Sequence, residues 1–212
     1  MGFLFVLSAP SGTGKTTVAE KLLKRSPGIK RIVTATTRQR REKEVDGVDY
    51  LFLSKEEFEI RIKEDKFLEY ACVYGNYYGT PKEQVLKNIE EGVDSLLVID
   101  VQGAGNIKKK IQESVLIFLL PPSIEELKRR LSTRGHVDNL AERVSKVEAE
   151  IACARYFDYI VINDFLDKAV GAIEYIINSQ KYSKNKVLKD VMKTIKDSNI
   201  RNALLMGECT TF

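Results

Sequence analysis

The first stretch that could do chemistry is Ala9-Pro10-Ser11-Gly12-Thr13-Gly14-Lys15-Thr16-Thr17. Gly12 and Gly14 let the backbone curl around a polyphosphate, and the N–H groups that open a following helix then point at the anion. Lys15 brings a full positive charge to the β- and γ-phosphates of a nucleotide such as ATP, and the Thr16 hydroxyl is placed to ligate Mg²⁺. This is a P-loop pattern with Ala9 where glycine is usual. A bare glycine-rich turn would share some of its letters. The context favours nucleotide: the apolar run Phe3 to Leu7 precedes it and helix-periodic residues follow it.

Other groups with chemical potential lie further along. Thr36-Thr37-Arg38-Gln39-Arg40-Arg41 puts three arginines within four residues. Held in a loop they form an anion trap; otherwise they read as a solvated basic run or a nucleic-acid patch. Glu69 sits inside the apolar run Phe67 to Tyr74. It is either a buried carboxylate with a ligand to serve or a residue on the solvent face of an alternating strand. Gly75 to Gly79 reads as a turn carrying Tyr77 and Tyr78, and Thr80, Pro81 and Glu83 read as a helix cap. Asp100 closes the apolar run Leu96 to Ile99, as the second nucleotide motif of P-loop proteins does, where it would face metal and phosphates. Lys128, Arg129, Arg130 and Arg134 crowd toward Gly135, and Arg143 lies on the amphipathic run beyond it. That arrangement is a flap over a phosphate, or a helical hairpin with solvated arginines. His136 is the single histidine, so no scheme needing two imidazoles applies.

The elements that must position these groups follow from periodicity. Val18, Leu22 and Leu23 stripe a helix that Pro27 and Gly28 end, and a strand is expected over Arg31 to Ala35. Asp46-Gly47 is a turn before a strand over Val48 to Leu53, and Ser54 with Glu57 caps the next helix. Val115 to Leu120 and Asp158 to Ile162 are further strands; Ser123 with Glu126 starts one helix, and Leu166, Val170, Ile173 and Ile177 stripe another. From Ser183 the chain is Lys-rich and reads as a weak helix or frayed tail. Buried strands alternating with helices, the first ending in a P-loop, argue an α/β fold with a doubly wound parallel sheet and ligands at the carboxyl ends of its strands.

Composition bounds the reading. The chain has 212 residues, 43% of them hydrophobic, enough for one well-cored domain with inserts. A net charge of +4, from 34 basic against 30 acidic residues, suits small phosphorylated substrates and does not demand nucleic acid. No apolar run approaches the roughly 20 residues of a membrane span, so a cytoplasmic protein without membrane partners is expected. Cys72, Cys153 and Cys209 are odd in number and widely spaced, which indicates neither a disulfide framework nor a zinc site.

Taken together, S-A-P-S-G-T-G-K-T, T-T-R-Q-R-R, G-V-D-Y, F-L-E-Y, G-N-Y-Y-G-T, I-D-V-Q-G, L-P-P-S, the R-G before the flap and V-I-N-D resemble the guanylate kinases, in order, from about Phe3 to Gln180. The resemblance implies ATP-dependent phosphorylation of GMP, and of dGMP, to the diphosphate with Mg²⁺, within purine nucleotide metabolism. It implies that Arg38, Arg41, Tyr50 and Tyr78 hold the GMP phosphate while Thr34, Glu69 and Thr80 read guanine. Ala9 to Thr17 would bind ATP, with Lys15 and Thr16 serving its phosphates and metal, Arg134 and Arg143 reaching in from a lid, and Asn163 near the adenine. Asp100 matches a position used beside both GMP and the metal. The expected organisation is a guanylate-kinase-like domain over 1–182, with a core over 1–33 and 92–182, a GMP-binding lobe over about 34–91 and a lid over about 130–150, followed by the Lys-rich end over 183–212. Val98 stands where the family often has Asp, and Thr34 where Ser is usual.

Three other readings stay in view. A GTPase fits Asp100 to Gly103 as D-x-x-G, but Asn185-Lys186 is followed by Val187-Leu188 where a base-reading Asp belongs. A non-catalytic guanylate-kinase-like module would bind phosphopeptides and would not depend on Lys15 and Thr16. A kinase for another nucleoside monophosphate is the nearest enzymatic alternative.

Overall fold

Strand β1 (Leu4–Ser8) is buried along its whole length, as a strand covered on both faces must be. Its side chains alternate between two cores. Phe5 and Leu7 pack with Val18 and Leu22 of α1 (Lys15–Arg25) and with Val170, Ile173 and Ile177 of the helix Leu166–Gln180. Leu4 and Val6 pack on the other face with Val85 of α3 (Lys82–Glu90) and with Ala104 and Ile107 of α4 (Val101–Lys110). These contacts come from a computed structural model, which describes residues 1–73, 75–132 and 147–206.

β1 lies between β7 (Ser95–Val98) and β8 (Val115–Leu120), with β2 (Lys30–Arg31) and β9 (Tyr159–Ile162) outside them. The order is β2-β7-β1-β8-β9 and every pair is parallel. Because the chain runs to opposite sides of β1, a crevice opens at the carboxyl ends of β1 and its neighbours. The P-loop leaves β1 there, and Asp100 follows β7 on the same edge.

A second sheet has the order β4-β3-β6-β5, from β3 (Ala35–Thr36), β4 (Leu51–Phe52), β5 (Phe67–Val73) and β6 (Asn76–Pro81). β3 runs parallel to β4 and antiparallel to β6, which is antiparallel to β5. α2 (Lys55–Lys63) opens with the capping box expected of Ser54 and Glu57. It seats Phe58 between Phe67 and Tyr77, ring centroids 4.4 and 5.2 Å away. Gly79 is required beneath this stack, since a Cβ there would come within 2.9 Å of both phenylalanine rings.

Several sequence expectations need correction. The strand expected over Arg31 to Ala35 is two strands in different sheets. Between them Ile32 N–H donates to Leu96 O in the large sheet and Val33 N–H donates to the Gln84 side chain, so the segment bridges the sheets. The strand expected over Val48 to Leu53 shortens to Leu51–Phe52, because the N–H groups of Val48 and Asp49 fold back onto Val45 O. The turn expected over Gly75 to Gly79 is mostly strand: Asn76 to Pro81 pair with β5, leaving Gly75, with φ 77°, in the turn. Thr80 is no helix cap. It lies in β6 opposite Glu69, and α3 starts after Pro81 without a side-chain cap. The Lys-rich end forms two helices, Lys184–Thr194 and Ser198–Met206, the first anchored by buried Val191.

α5 (Ile124–Ser132) begins as expected, with Glu126 N–H donating to the Ser123 hydroxyl. Helical residues 147–152 and a 3₁₀ turn, Cys153–Tyr156, lead into β9. Arg134, His136 and Arg143 lie outside the described residues. Among the described residues no helix is long and apolar enough to cross a membrane.

Candidate active site

The P-loop is shaped by its glycines. Gly12 and Gly14 adopt φ of 86° and 94°, the left-handed region that favours glycine, and Thr13 N–H donates to Pro10 O. Gly14 is the N-cap of α1 and offers no side-chain bond, so the first N–H groups of the helix are free of a capping partner and face the position an anion would take. Lys15 is half-buried and its Nζ donates to Ile99 O at 2.8 Å. Burial lowers its pKa, against the opposing pull of Asp100 and Glu150.

Two distant residues close the loop from behind. Asn163, only 6% exposed, donates from Nδ2 to Thr13 O at 2.7 Å. The structure thus sets Asn163 against the P-loop backbone itself. Glu150, from helical residues 147–152, accepts weakly from Ser11 N–H at 3.4 Å.

Ala9 to Gly12 and Gly14 line one cavity, and Lys15 and Thr16 join it to a second of about 280 Å³ whose walls run from these two residues to the small sheet. Thr34, Arg38, Arg41, Tyr50, Glu69, Tyr78 and Asp100, all singled out from sequence, line it; Thr80 does not, and supports Glu69 instead. At the arginine end, Arg38 Nη2 donates to both carboxylate oxygens of Glu44, at 2.8 and 3.0 Å, and its guanidinium lies 5.5 Å from the Tyr50 ring. Arg41 N–H donates to the same carboxylate. Burial opposes the Arg38 charge, but the Glu44 hydrogen bond and charge outweigh it and raise its pKa. Glu44 thus shapes the loop through the Arg38 side chain and the Arg41 backbone, while Gln39, Arg40 and Arg41 are exposed.

At the other end Glu69 is 7% exposed, which rules out a solvent face. The Thr80 hydroxyl donates to its Oε1 at 2.5 Å. Burial pushes the Glu69 carboxyl up from its ordinary range; Thr80 pulls it down, Asp100 pushes it up again, and the net shift is upward. Asp100 caps α4, its Oδ1 accepting from Gly103 N–H at 2.7 Å.

Sequence reasoning missed Glu44, Glu150 and Gly103. Glu44, three residues past Arg41, carried a local signal; Glu150 reaches the P-loop from 139 residues away and carried none. Gly103 stood in the sequence only as the last residue of I-D-V-Q-G and of a D-x-x-G match, with nothing to link it to Glu69.

Comparison with known proteins bears on what this cavity is for. The sequence model of the guanylate kinase family matches residues 2–180. The chain belongs to the guanylate kinase family. It is similar to the guanylate kinase of Caldanaerobacter subterraneus subsp. tengcongensis, 45% identical over 201 residues that cover 94% of this chain and 97% of that one. The guanylate kinase of Clostridium tetani is 45% identical over 205 residues, 96% of this chain and 98% of that one. The crystal structure of guanylate kinase from Anaplasma phagocytophilum superimposes with a TM-score of 0.77 at 32% identity, covering 92% of this chain and 95% of the other. Membership makes this guanylate kinase family enzyme a phosphotransferase with ATP as co-substrate, and disfavours the GTPase and phosphopeptide-module readings.

Proposed function

We propose that the enzyme transfers the γ-phosphoryl group of ATP to the phosphate of GMP, giving ADP and GDP, with dGMP as a second acceptor. The observation that carries this reading is a single cavity joining Lys15 and Thr16 to Arg38, Tyr50, Tyr78 and a buried Glu69. One end suits a polyphosphate, and the other suits a monophosphate attached to a base with two donors on one edge. Formation of ADP from ATP and GMP, absent when GMP is left out, tests the reaction directly.

The acceptor oxygen of GMP is already anionic, so catalysis needs no strong base and consists of positioning and charge neutralisation. The N–H groups at the start of α1 hold the ATP phosphates, and Lys15 meets charge as it develops on the transferring group. Asn163 steadies the loop from behind through Thr13 O. Arg38, Arg41, Tyr50 and Tyr78 hold the GMP phosphate in line, with Arg38 exchanging Glu44 for the phosphate as substrate enters. Arg134 and Arg143 are assigned to the transferring group, on a lid over about 130–150 that excludes water. The small sheet and its loops, about 34–91, serve as the GMP lobe.

The donor set fits Mg²⁺. Among the described residues no cluster of three or more His, Cys, Asp or Glu could cage a metal, but the Thr16 hydroxyl and Asp100 carboxylate offer hard oxygens on one cleft. Mg²⁺ characteristically takes one or two such ligands and completes its shell with phosphates and water. When bound it neutralises charge on the β- and γ-phosphates.

The raised pKa of Glu69 sets a pH dependence. Guanine donors need the ionised carboxylate, so kcat/KM for GMP falls on the acid side as pH drops through the raised Glu69 pKa, at a higher pH than an ordinary glutamate would cause. Bound GMP favours the charged form and moves the acid limb of kcat to lower pH. Overlapping acid limbs for kcat and kcat/KM would contradict the assignment.

A further inference from the structure

Glu69 has two acceptor oxygens, and the Thr80 hydroxyl takes one of them, Oε1. Oε2 lies over Gly103, where a Cβ would sit 3.0 Å from it, 3.1 Å from Ile99 Cδ1 and 3.4 Å from Asp100 Oδ1. We propose that Gly103 is a specificity-positioning residue, whose missing methyl keeps Oε2 of Glu69 open to the second donor of the purine base. The proposal rests on the reading of this cavity as a GMP site.

The surroundings leave a methyl little room. The Thr80 hydroxyl pins Glu69, Asp100 Oδ1 is held by the N–H of Gly103 itself, and Ile99 O holds Lys15 Nζ. A side chain at 103 therefore presses on the carboxylate or covers its free oxygen. Nothing in the local backbone asks for glycine. Gly103 lies inside α4 and is not among the positive-φ glycines, and glycine is the poorest helix former after proline. A glycine here makes sense through the pocket. Gly105, two residues on in the same helix, is exposed with nothing within 4 Å of its would-be Cβ, and so is an internal control.

Guanine differs from hypoxanthine by the exocyclic amino group, the donor that needs a second acceptor. Crowding Oε2 therefore costs GMP more than inosine monophosphate, whereas general loosening of the lobe would cost both alike. A site built to hydrogen-bond a donor discriminates most sharply when both partners are satisfied.

The test is kcat and KM for GMP and for inosine monophosphate, at saturating ATP, in wild type, Gly103→Ala and Gly105→Ala, with thermal melts of each. For Gly103→Ala the expected result is a GMP KM raised about tenfold, a GMP-over-inosine-monophosphate preference reduced about tenfold, and an ATP KM within about twofold of wild type. Its melting temperature equals or exceeds that of wild type, and Gly105→Ala keeps wild-type kinetics. An unchanged GMP KM and preference in Gly103→Ala overturns the proposal, as does a fall in kcat and melting temperature that spares the preference. A wild-type enzyme inert toward GMP overturns the functional reading and this proposal with it; an active wild type whose Gly103→Ala variant keeps the full GMP preference overturns the proposal alone.

Discussion

Lys15→Ala is expected to lower kcat by about a thousandfold or more while the GMP dissociation constant stays within about threefold, because the proposed mechanism assigns the side chain to the transferring phosphoryl group and not to the acceptor. The ammonium sits at the first residue of α1, tethered to Ile99 O, with Asp100 and Glu150 supporting its charge. The loss is on the order of 4 kcal/mol of transition-state stabilisation, the range seen when a charged or oxyanion-type donor is removed from a dry site. Folding does not suffer to match. Burial is the largest influence on Lys15 and opposes its charge, so removing the ammonium also removes a desolvation cost. Steady-state rates measured beside calorimetric GMP binding check this, and a kcat within tenfold of wild type would remove Lys15 from the catalytic role.

Glu69→Gln is the second large effect. Guanine presents a ring N–H and an exocyclic amino group side by side, and a carboxylate accepts from both. Glutamine keeps one acceptor, which the Thr80 hydroxyl already engages at that end, and turns an NH₂ toward a guanine donor. A donor left facing a donor in a buried site costs about 1 to 3 kcal/mol, more when charge assisted the lost bond. The GMP KM is therefore expected to rise roughly ten- to several-hundredfold with the ATP KM nearly unchanged. Stability gives an independent check. A carboxyl whose folded pKa is raised contributes stability below its unfolded pKa and loses it as pH rises through the folded value, so at neutral pH ionised Glu69 is a cost. The neutral variant should melt no lower than wild type there. Wild-type GMP kinetics in Glu69→Gln would move base recognition elsewhere in the pocket.

The parts of this enzyme legible in its sequence are those whose cause is local. A P-loop is a contiguous run with its own backbone logic, and the large-sheet strands β1 and β8 are unbroken apolar runs, so both stood out. Ser54 with Glu57 and Ser123 with Glu126 are caps three residues apart, and both form. The small sheet was harder. Its strands β3 and β4 are two residues long, and their pairing is settled by partners far away in sequence. Thr80 shows the limit most clearly. Thr-Pro before a helical run reads as a cap, yet cross-strand register puts its hydroxyl on Glu69, and no local pattern reports that register. Glu69 itself stayed ambiguous because alternation cannot say which face of a strand meets a second layer. Asn163 was placed by resemblance near a base, and its backbone contact with Thr13 comes from 150 residues away.

The proposed function pairs an ATP phosphate site at the P-loop with a guanine-reading monophosphate site in the cavity that adjoins it through Lys15 and Thr16. ADP release from ATP across GMP, dGMP, AMP, CMP, UMP and inosine monophosphate tests it most directly. The account expects GMP to be used best, dGMP to follow, and the adenine and pyrimidine monophosphates to give rates at least about a hundredfold lower in kcat/KM, since their base edges do not offer Glu69 two adjacent donors. Equal use of AMP and GMP, or no acceptor-dependent ADP release at all, would contradict it.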